Sequence, residues 1–130
     1  MRDVVLDTHT LLWLVSTREQ VDPEAREVIA DQGCTVWVSA ASGWEIAVKT
    51  RLGRLPGETL LSAWSDIISD MAATELAIDA ADAILAGRLP WAHRDPFDRM
   101  LVAQATRRNL TIATRDQQIL RAALTPTLKV

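Results

Sequence analysis

The sequence predicts an α/β fold in which a mainly parallel sheet is covered by helices on both faces. Short apolar runs typical of buried strands alternate along the chain with longer segments that repeat apolar residues at helical spacing. Connections between such strands are right-handed crossovers, which return the chain to the same sheet in a parallel direction. This alternation is the main evidence for the fold class.

Residues 3–7 form the first predicted strand, because this apolar run is too short and too rich in β-branched residues for a helix. The segment from Cys34 to Ser39 is also β-like in composition. The predicted strands are 3–7, 34–39, 75–78, 111–114 and 127–130. The last of them is expected at an edge of the sheet.

Helices are predicted where apolar residues recur every three or four positions. Asp22-Pro23 is a typical helix start, Gly33 and Gly53 are typical ends, and Asp79 is a further cap. The predicted helices span 9–16, 23–32, 42–52, 57–73, 80–88, 97–108 and about 116–124. Residues 90–96 are predicted to form a loop.

Composition indicates one globular domain over residues 1–130. Hydrophobic residues make up 48% of the chain, which excludes a disordered segment, and no interior linker is visible. The net charge of −3 argues against nucleic-acid binding by bulk charge, although a local basic patch is compatible with it. A single cysteine, Cys34, and the absence of a signal peptide favour the cytoplasm. No apolar run reaches the roughly 18 residues of a membrane helix.

Four acidic residues lie where strands end or helices begin. Asp7 ends the first strand, whereas Glu45, Asp98 and Asp116 lie near helix starts. In a parallel sheet the strand-to-helix turns share one edge, so the topology brings Asp7, Glu45 and Asp116 together. Asp98 does not directly follow a strand, but it can point to the same edge if its helix runs antiparallel to the sheet. Each has a structural alternative, since Asp7 and Asp116 can cap helices, Asp98 suits a helix dipole and Glu45 can pair with Lys49 on a surface.

Carboxylates that share a site repel one another unless a cation neutralises them. A hard divalent ion with oxygen ligands, such as Mg²⁺, meets this need, and it can activate water for attack on a phosphodiester. The sequence has no glycine-rich phosphate loop, no CxxC and no HExxH, so it does not support P-loop or zinc chemistry.

Four segments occur in an order that closely resembles the PIN-domain ribonucleases, specifically the VapC-like toxins of bacterial type II toxin–antitoxin systems. They are DTHTLLW at 7–13, SGWEIAVK at 42–49, HRDPFDRMLVAQA at 93–105 and TRD at 114–116. The resemblance covers nearly the whole chain, and its third segment is quite specific. It implies a three-layer α/β/α fold with strand order 3-2-1-4-5.

The resemblance also implies the site and its partners. Asp7, Glu45 and Asp98 correspond to the family's acidic triad, Asp116 to its fourth acid, and Thr114 to a small hydroxyl near the metal and substrate. Family members bind Mg²⁺ or Mn²⁺, cleave RNA, pair with a cognate antitoxin and commonly form homodimers. Asp95 is expected to cap a helix and not to join the triad.

Basic and apolar side chains give two further expectations. Lys49, Arg99 and Arg115 are the candidates for a phosphate track beside the acids, with an ordinary solvated surface as the alternative. An apolar groove that suits an antitoxin segment is expected among residues of the amphipathic helices. Its predicted members are Leu11, Trp13, Leu60 and Trp64.

The predicted function is therefore a Mg²⁺-dependent endoribonuclease that acts as a toxin. His9 and His93 are expected to be structural or near the substrate and not metal ligands, because a carboxylate-rich site does not need imidazole. One alternative is a catalytically silent PIN-like binding module. A weaker one is a haloacid-dehalogenase-type phosphatase with Asp7 as nucleophile, although that family has a second Asp where His9 stands.

Overall fold

A computed structural model describes residues 2–130, and within them a five-stranded, fully parallel sheet forms the centre of the molecule. The strands are β1 (Arg2–Leu6), β2 (Cys34–Ser39), β3 (Thr74–Leu76), β4 (Thr111–Thr114) and β5 (Thr127–Lys129). Their order is β3-β2-β1-β4-β5. The predicted fold class and strand order are thus confirmed.

Eight α-helices surround the sheet in the described part of the chain, with a short 3₁₀ helix at Arg18–Gln20. They are α1 (Thr8–Ser16), α2 (Pro23–Ala30), α3 (Ala40–Arg51), α4 (Glu58–Ser62), α5 (Trp64–Asp70), α6 (Ala80–Arg88), α7 (Pro96–Arg108) and α8 (Gln117–Ala122). None of these helices is both long and apolar enough to cross a bilayer.

The central strand β1 supplies apolar side chains to both faces of the sheet. Val4, Val5 and Leu6 have no exposed surface, and their side chains alternate between two core clusters. Val5 packs with residues of α6 and α7, whereas Val4 and Leu6 pack on the side of α1 to α5. Burial on both faces explains why this strand is a continuous apolar run.

Two predicted elements differ in the structure. The single helix expected over 57–73 is two helices, because Ala63 leaves the helical conformation (φ −118°, ψ 27°). After the break, the Trp64 indole packs against Gly43 of α3 and donates a hydrogen bond to Glu75 Oε1 at 2.6 Å. Strand β3 is also shorter than the predicted 75–78, since its partner β2 ends at Ser39, opposite Leu76.

The carboxyl ends of β1, β2 and β4 are level with one another. Leu6 pairs with Val38 on one side and Ala113 on the other, and the Asp7 amide donates to Ala113 O at 3.1 Å. Helices α1 and α3 begin directly after this edge, and α8 follows two residues beyond it. The residues that follow each of these three strands therefore lie at the same edge of the sheet.

Candidate active site

Asp7 lies at the end of β1 and has two structural partners. Its side chain is 5% exposed. Oδ1 accepts the Thr10 amide at 2.8 Å, which caps α1, and Oδ2 accepts the hydroxyl of Thr114 at the end of β4. The predicted cap is present, but it occupies only one of the two carboxylate oxygens.

Thr114 joins Asp7 to Asp116. The Thr114 hydroxyl is fully buried, donates to Asp7 and accepts the Asp116 amide at 3.0 Å. Asp116 itself is exposed, and its Oδ1 caps α8 by accepting the Gln118 amide at 2.7 Å. The Thr114 hydroxyl thus links the ends of β1 and β4. The Asp116 side chain, unlike that of Asp7, is open to solvent.

Glu45 projects from α3 and is 5% exposed, so it is not part of a freely solvated surface pair. Lys49, one turn further along the helix, forms an ion pair with it. Helix α3 is held beside α1 by the Thr8 hydroxyl, which donates to Ser42 Oγ at 3.0 Å. Glu45 therefore occupies a buried position on the helix that directly follows β2.

Asp98 lies in the first turn of α7, where Asp95 is the N-cap as predicted. The Oδ2 atom of Asp98 is 2.7 Å from His93 Nε2. His93, Asp95 and Asp98 offer ligand atoms within 4.8 Å of one another. Sequence reasoning did not predict this contact of His93, although the Asp95-Pro96 helix start between His93 and Asp98 was a usable signal.

Burial sets the electrostatics of two of the acids. It raises the pKa of Asp7, against the opposing hydrogen bonds from Thr114 and Thr10. Burial likewise raises the pKa of Asp98 to about 6; the His93 hydrogen bond opposes this shift, and the charges of Asp95 and Asp116 add to it.

The donor set suits a hard divalent cation. Lys49 is the one lysine or arginine in residues 2–130 that forms an ion pair with any of the four acids, so negative charge is in excess. Within the same residues, no three of the four acids bring ligand atoms within 4.8 Å of one another. Mg²⁺ needs only one or two direct carboxylates and keeps several waters, so this spacing is compatible with it.

The structure does not support the predicted phosphate role of Arg99. Its five N–H donors all bind backbone carbonyl oxygens, two in the last turn of α6 and three in the segment between α6 and α7. The acceptors are Ala86, Gly87, Leu89, Trp91 and His93, at 2.7–3.4 Å. With no donor left over, Arg99 holds this loop in place.

Arg115 lies beside the acids but is partly engaged. Its guanidinium stacks on Trp13 at 4.4 Å from the ring centroid and donates to the carbonyl oxygens of Gln20 and Val130. An open cleft of about 270 Å³ is formed here. It is lined by Asp7, His9, Trp13, Arg115 and Asp116. Trp13 therefore belongs to the acidic cleft.

Two of the four residues predicted to line an apolar groove are buried and cannot line one. Leu11 has no exposed surface and Leu60 is 5% exposed, because both pack in the core beneath α1 and α4. Trp64 packs on α3 instead. A different groove of about 270 Å³ lies among α1, α2 and α5. Its lining residues are Leu14, Arg18, Arg26, Ile29, Ala30, Val36, Asp70 and Met71.

Comparisons with known proteins agree with this fold. The family model for the PIN domain matches residues 4–124. VapBC2 from Rickettsia felis bound to a promoter DNA fragment is similar, with a TM-score of 0.71, 14% identity and 97% of each chain covered. DNA-bound VapBC from Salmonella typhimurium has a TM-score of 0.71, 21% identity and 98% of each chain covered.

FitAcB from Neisseria gonorrhoeae is also similar, with a TM-score of 0.63, 19% identity, 97% of this chain covered and 96% of the other. At these identities the structural likeness shows a shared fold. No curated protein sequence matches the chain.

Proposed function

The chain belongs to the PIN domain family, and on this premise we propose that it is a metal-dependent endoribonuclease, the toxin of a toxin–antitoxin pair. The observation that carries the proposal is the set of acids at the carboxyl edge of the sheet. Asp7 and Glu45 are each 5% exposed, and the Asp98 side chain is 16% exposed. Among the ion pairs of residues 2–130 none involves Asp7, and a buried carboxylate without a matching cation is costly in a purely structural role.

In this proposal Asp7, Glu45, Asp98 and Asp116 hold one or two divalent cations, Mg²⁺ or Mn²⁺. When bound, such an ion supplies positive charge to the phosphodiester and makes water a stronger nucleophile at neutral pH. The assignment agrees with the oxygen-rich donor set, since hard cations prefer carboxylate ligands.

The protein's own contribution is to orient these carboxylates before any ligand arrives. Thr114 fixes Oδ2 of Asp7, and His93 fixes Oδ2 of Asp98 at 2.7 Å. Such outer hydrogen bonds orient ligand groups and tune their basicity. Lys49, paired with Glu45, and Arg115, stacked on Trp13, are the cations placed to contact phosphate oxygens.

A partner protein is part of the proposal. The similar structures from Rickettsia felis and Salmonella typhimurium are of VapBC with DNA, which supports a second component for this chain as well. We assign the antitoxin contact to the groove that contains Leu14, Ile29 and Met71. Residues 1–130 are taken as one PIN-like domain that forms a homodimer or a hetero-oligomer and acts on RNA in the cytoplasm.

The test is cleavage of total cellular RNA by the purified, antitoxin-free protein, with Mg²⁺ and with excess EDTA. We expect discrete fragments with Mg²⁺ and none with EDTA, and mapping their ends would identify the target. Antitoxin binding by a folded, metal-loaded protein that cleaves no RNA would instead support a silent binding module.

A further inference from the structure

Two aromatic rings that contact each other, those of Trp44 and Phe97, have no part in the proposed metal chemistry. Trp44 of α3 is 50% exposed, although tryptophan is highly buried on average. Its ring contacts that of Phe97 in α7, with centroids 4.6 Å apart and planes at 76°. This is a preferred edge-to-face geometry, so the two rings fix each other's positions.

The position of the pair in the chain ties it to the site. Trp44 directly precedes Glu45, and Phe97 directly precedes Asp98. The contact between the rings therefore brings together the segments of α3 and α7 that carry two of the four acids. A phosphodiester held at these acids would have the aromatic pair beside it.

The open ring faces suit a flat ligand. In an edge-to-face pair, the edge of one ring contacts one face of the other ring. The pair therefore uses only one of the four ring faces. Half of the Trp44 surface is open to solvent. Nucleobases stack on such aromatic faces, and they do so with little sequence preference.

A second copy of the chain is a weaker explanation for this exposure. The four exposed large hydrophobic residues of the described chain do not form one patch. Leu52 lies at the C-terminal end of α3, whereas Trp44 lies near its start. Ile84 lies on α6 and Leu124 lies near β5. Stable protein interfaces bury on the order of 1,200–2,000 Å², far more than two aromatic rings supply.

We propose that Trp44, supported by Phe97, is a stacking platform for an unpaired base next to the scissile phosphate. The proposal rests on the proposed nuclease function for the position of the phosphate. It adds a base-binding residue to that function and needs an unpaired base, because a base in a duplex is already stacked on its neighbours and is not free to stack on a side chain.

The test compares wild type with Trp44→Ala, Trp44→Phe and the control Leu52→Ala, which truncates an equally exposed side chain on the same helix. Fluorescence anisotropy measures binding of a short single-stranded RNA pool, and of the same RNA as duplex, in Ca²⁺. Steady-state cleavage in Mg²⁺ gives kcat and KM. Gel filtration gives the oligomeric state of each variant.

We expect Trp44→Ala to weaken single-strand binding and raise KM about 5- to 100-fold with little change in kcat. Trp44→Phe should recover most of this loss, Leu52→Ala should resemble wild type, and duplex RNA should bind poorly to every variant. Equal binding by wild type and Trp44→Ala would overturn the proposal, and so would a loss of oligomer in Trp44→Ala.

The same data separate this inference from the nuclease function. Wild-type protein that binds single strands through Trp44 without cutting them overturns the function and supports the platform. Wild-type protein that cuts RNA but does not depend on Trp44 supports the function and overturns the platform.

Discussion

Asp7 combines a structural and a proposed chemical task in one side chain. Oδ1 caps α1, and Oδ2 is held by Thr114 from the neighbouring strand. A cap needs only one acceptor, for which Asn serves as well as Asp. Asn in place of Asp7 would therefore keep the helix cap and lose the buried negative charge together with the acceptor for the Thr114 hydroxyl. This separation of the two tasks makes Asp7 the most informative position in the site.

Thr114 gives a prediction at the same scale. Thr114→Val removes the hydroxyl that binds Asp7 Oδ2 and the Asp116 amide while it keeps the side-chain shape. We expect a loss of about 1–3 kcal/mol in the free energy of unfolding, because buried polar groups lose their partner. The Mg²⁺ concentration for half-maximal cleavage should rise about 10- to 100-fold. Urea unfolding and a Mg²⁺ titration measure these effects, with Thr114→Ser as the control that should retain both.

At the scale of elements, a buried amide fixes how α3 and α7 lie relative to each other. Ser39 caps α3 by accepting the Ala41 amide at 3.0 Å, and its hydroxyl donates to Gln104 Oε1 of α7 at 2.5 Å. Gln104 Nε2 also donates to Ala77 O at 3.1 Å, just beyond β3. Because α3 carries Glu45 and α7 carries Asp98, this network sets the frame of the site.

The loop between α6 and α7 depends on Arg99. We expect Arg99→Met to lower the free energy of unfolding by about 1–3 kcal/mol, because four half-buried carbonyl oxygens lose their donor. Amide hydrogen exchange should become faster within 89–95. Arg88→Met, which removes the same charge from an exposed position, should change neither. A raised KM with unchanged stability in Arg99→Met would instead restore the phosphate role.

Asp82 ties α6 to α7 and gives a pH-dependent prediction. Burial raises its pKa, but hydrogen bonds from Arg108, the Asp79 amide, Arg107 and Gln104 outweigh burial and hold the pKa well below its usual range. A carboxylate with a depressed pKa stabilises the folded state above the unfolded pKa, and the stabilisation is lost as the pH falls through the folded value.

Asp82→Asn should therefore lower the free energy of unfolding by about 1–3 kcal/mol near neutral pH. The difference from wild type should shrink below about pH 4. Urea unfolding at several pH values measures it, and a difference that is constant down to the acid range would contradict the charge-based explanation.

For the whole molecule, local apolar patterns were enough to predict the sheet. The run at 3–7 reads as a strand from its own residues, and the topology then places Asp7 and Asp116 at one edge. The break at Ala63 was not predictable in this way, because periodicity continues through 57–73 and the contacts of Trp64 with Gly43 and Glu75 are not part of that pattern.

The roles of single side chains depended on contacts that no local pattern contains. Arg99 binds carbonyl oxygens that come 6–13 positions earlier in the chain. Leu11 and Leu60 share the helical spacing of a groove residue, but the core covers them. Sequence patterns thus predicted which face of a helix is apolar, and only the packed structure shows whether that face is open.

The most direct measurement of the central claim is RNA cleavage by Asp7→Asn beside Asp22→Asn. Both replace an N-cap aspartate, but Asp22 is an exposed cap of α2 and is not one of the four acids. We predict that Asp7→Asn stays folded by circular dichroism and loses Mg²⁺-dependent cleavage, whereas Asp22→Asn cleaves like wild type. Undiminished cleavage by Asp7→Asn would contradict the assignment of the acids as the site of a metal-dependent nuclease.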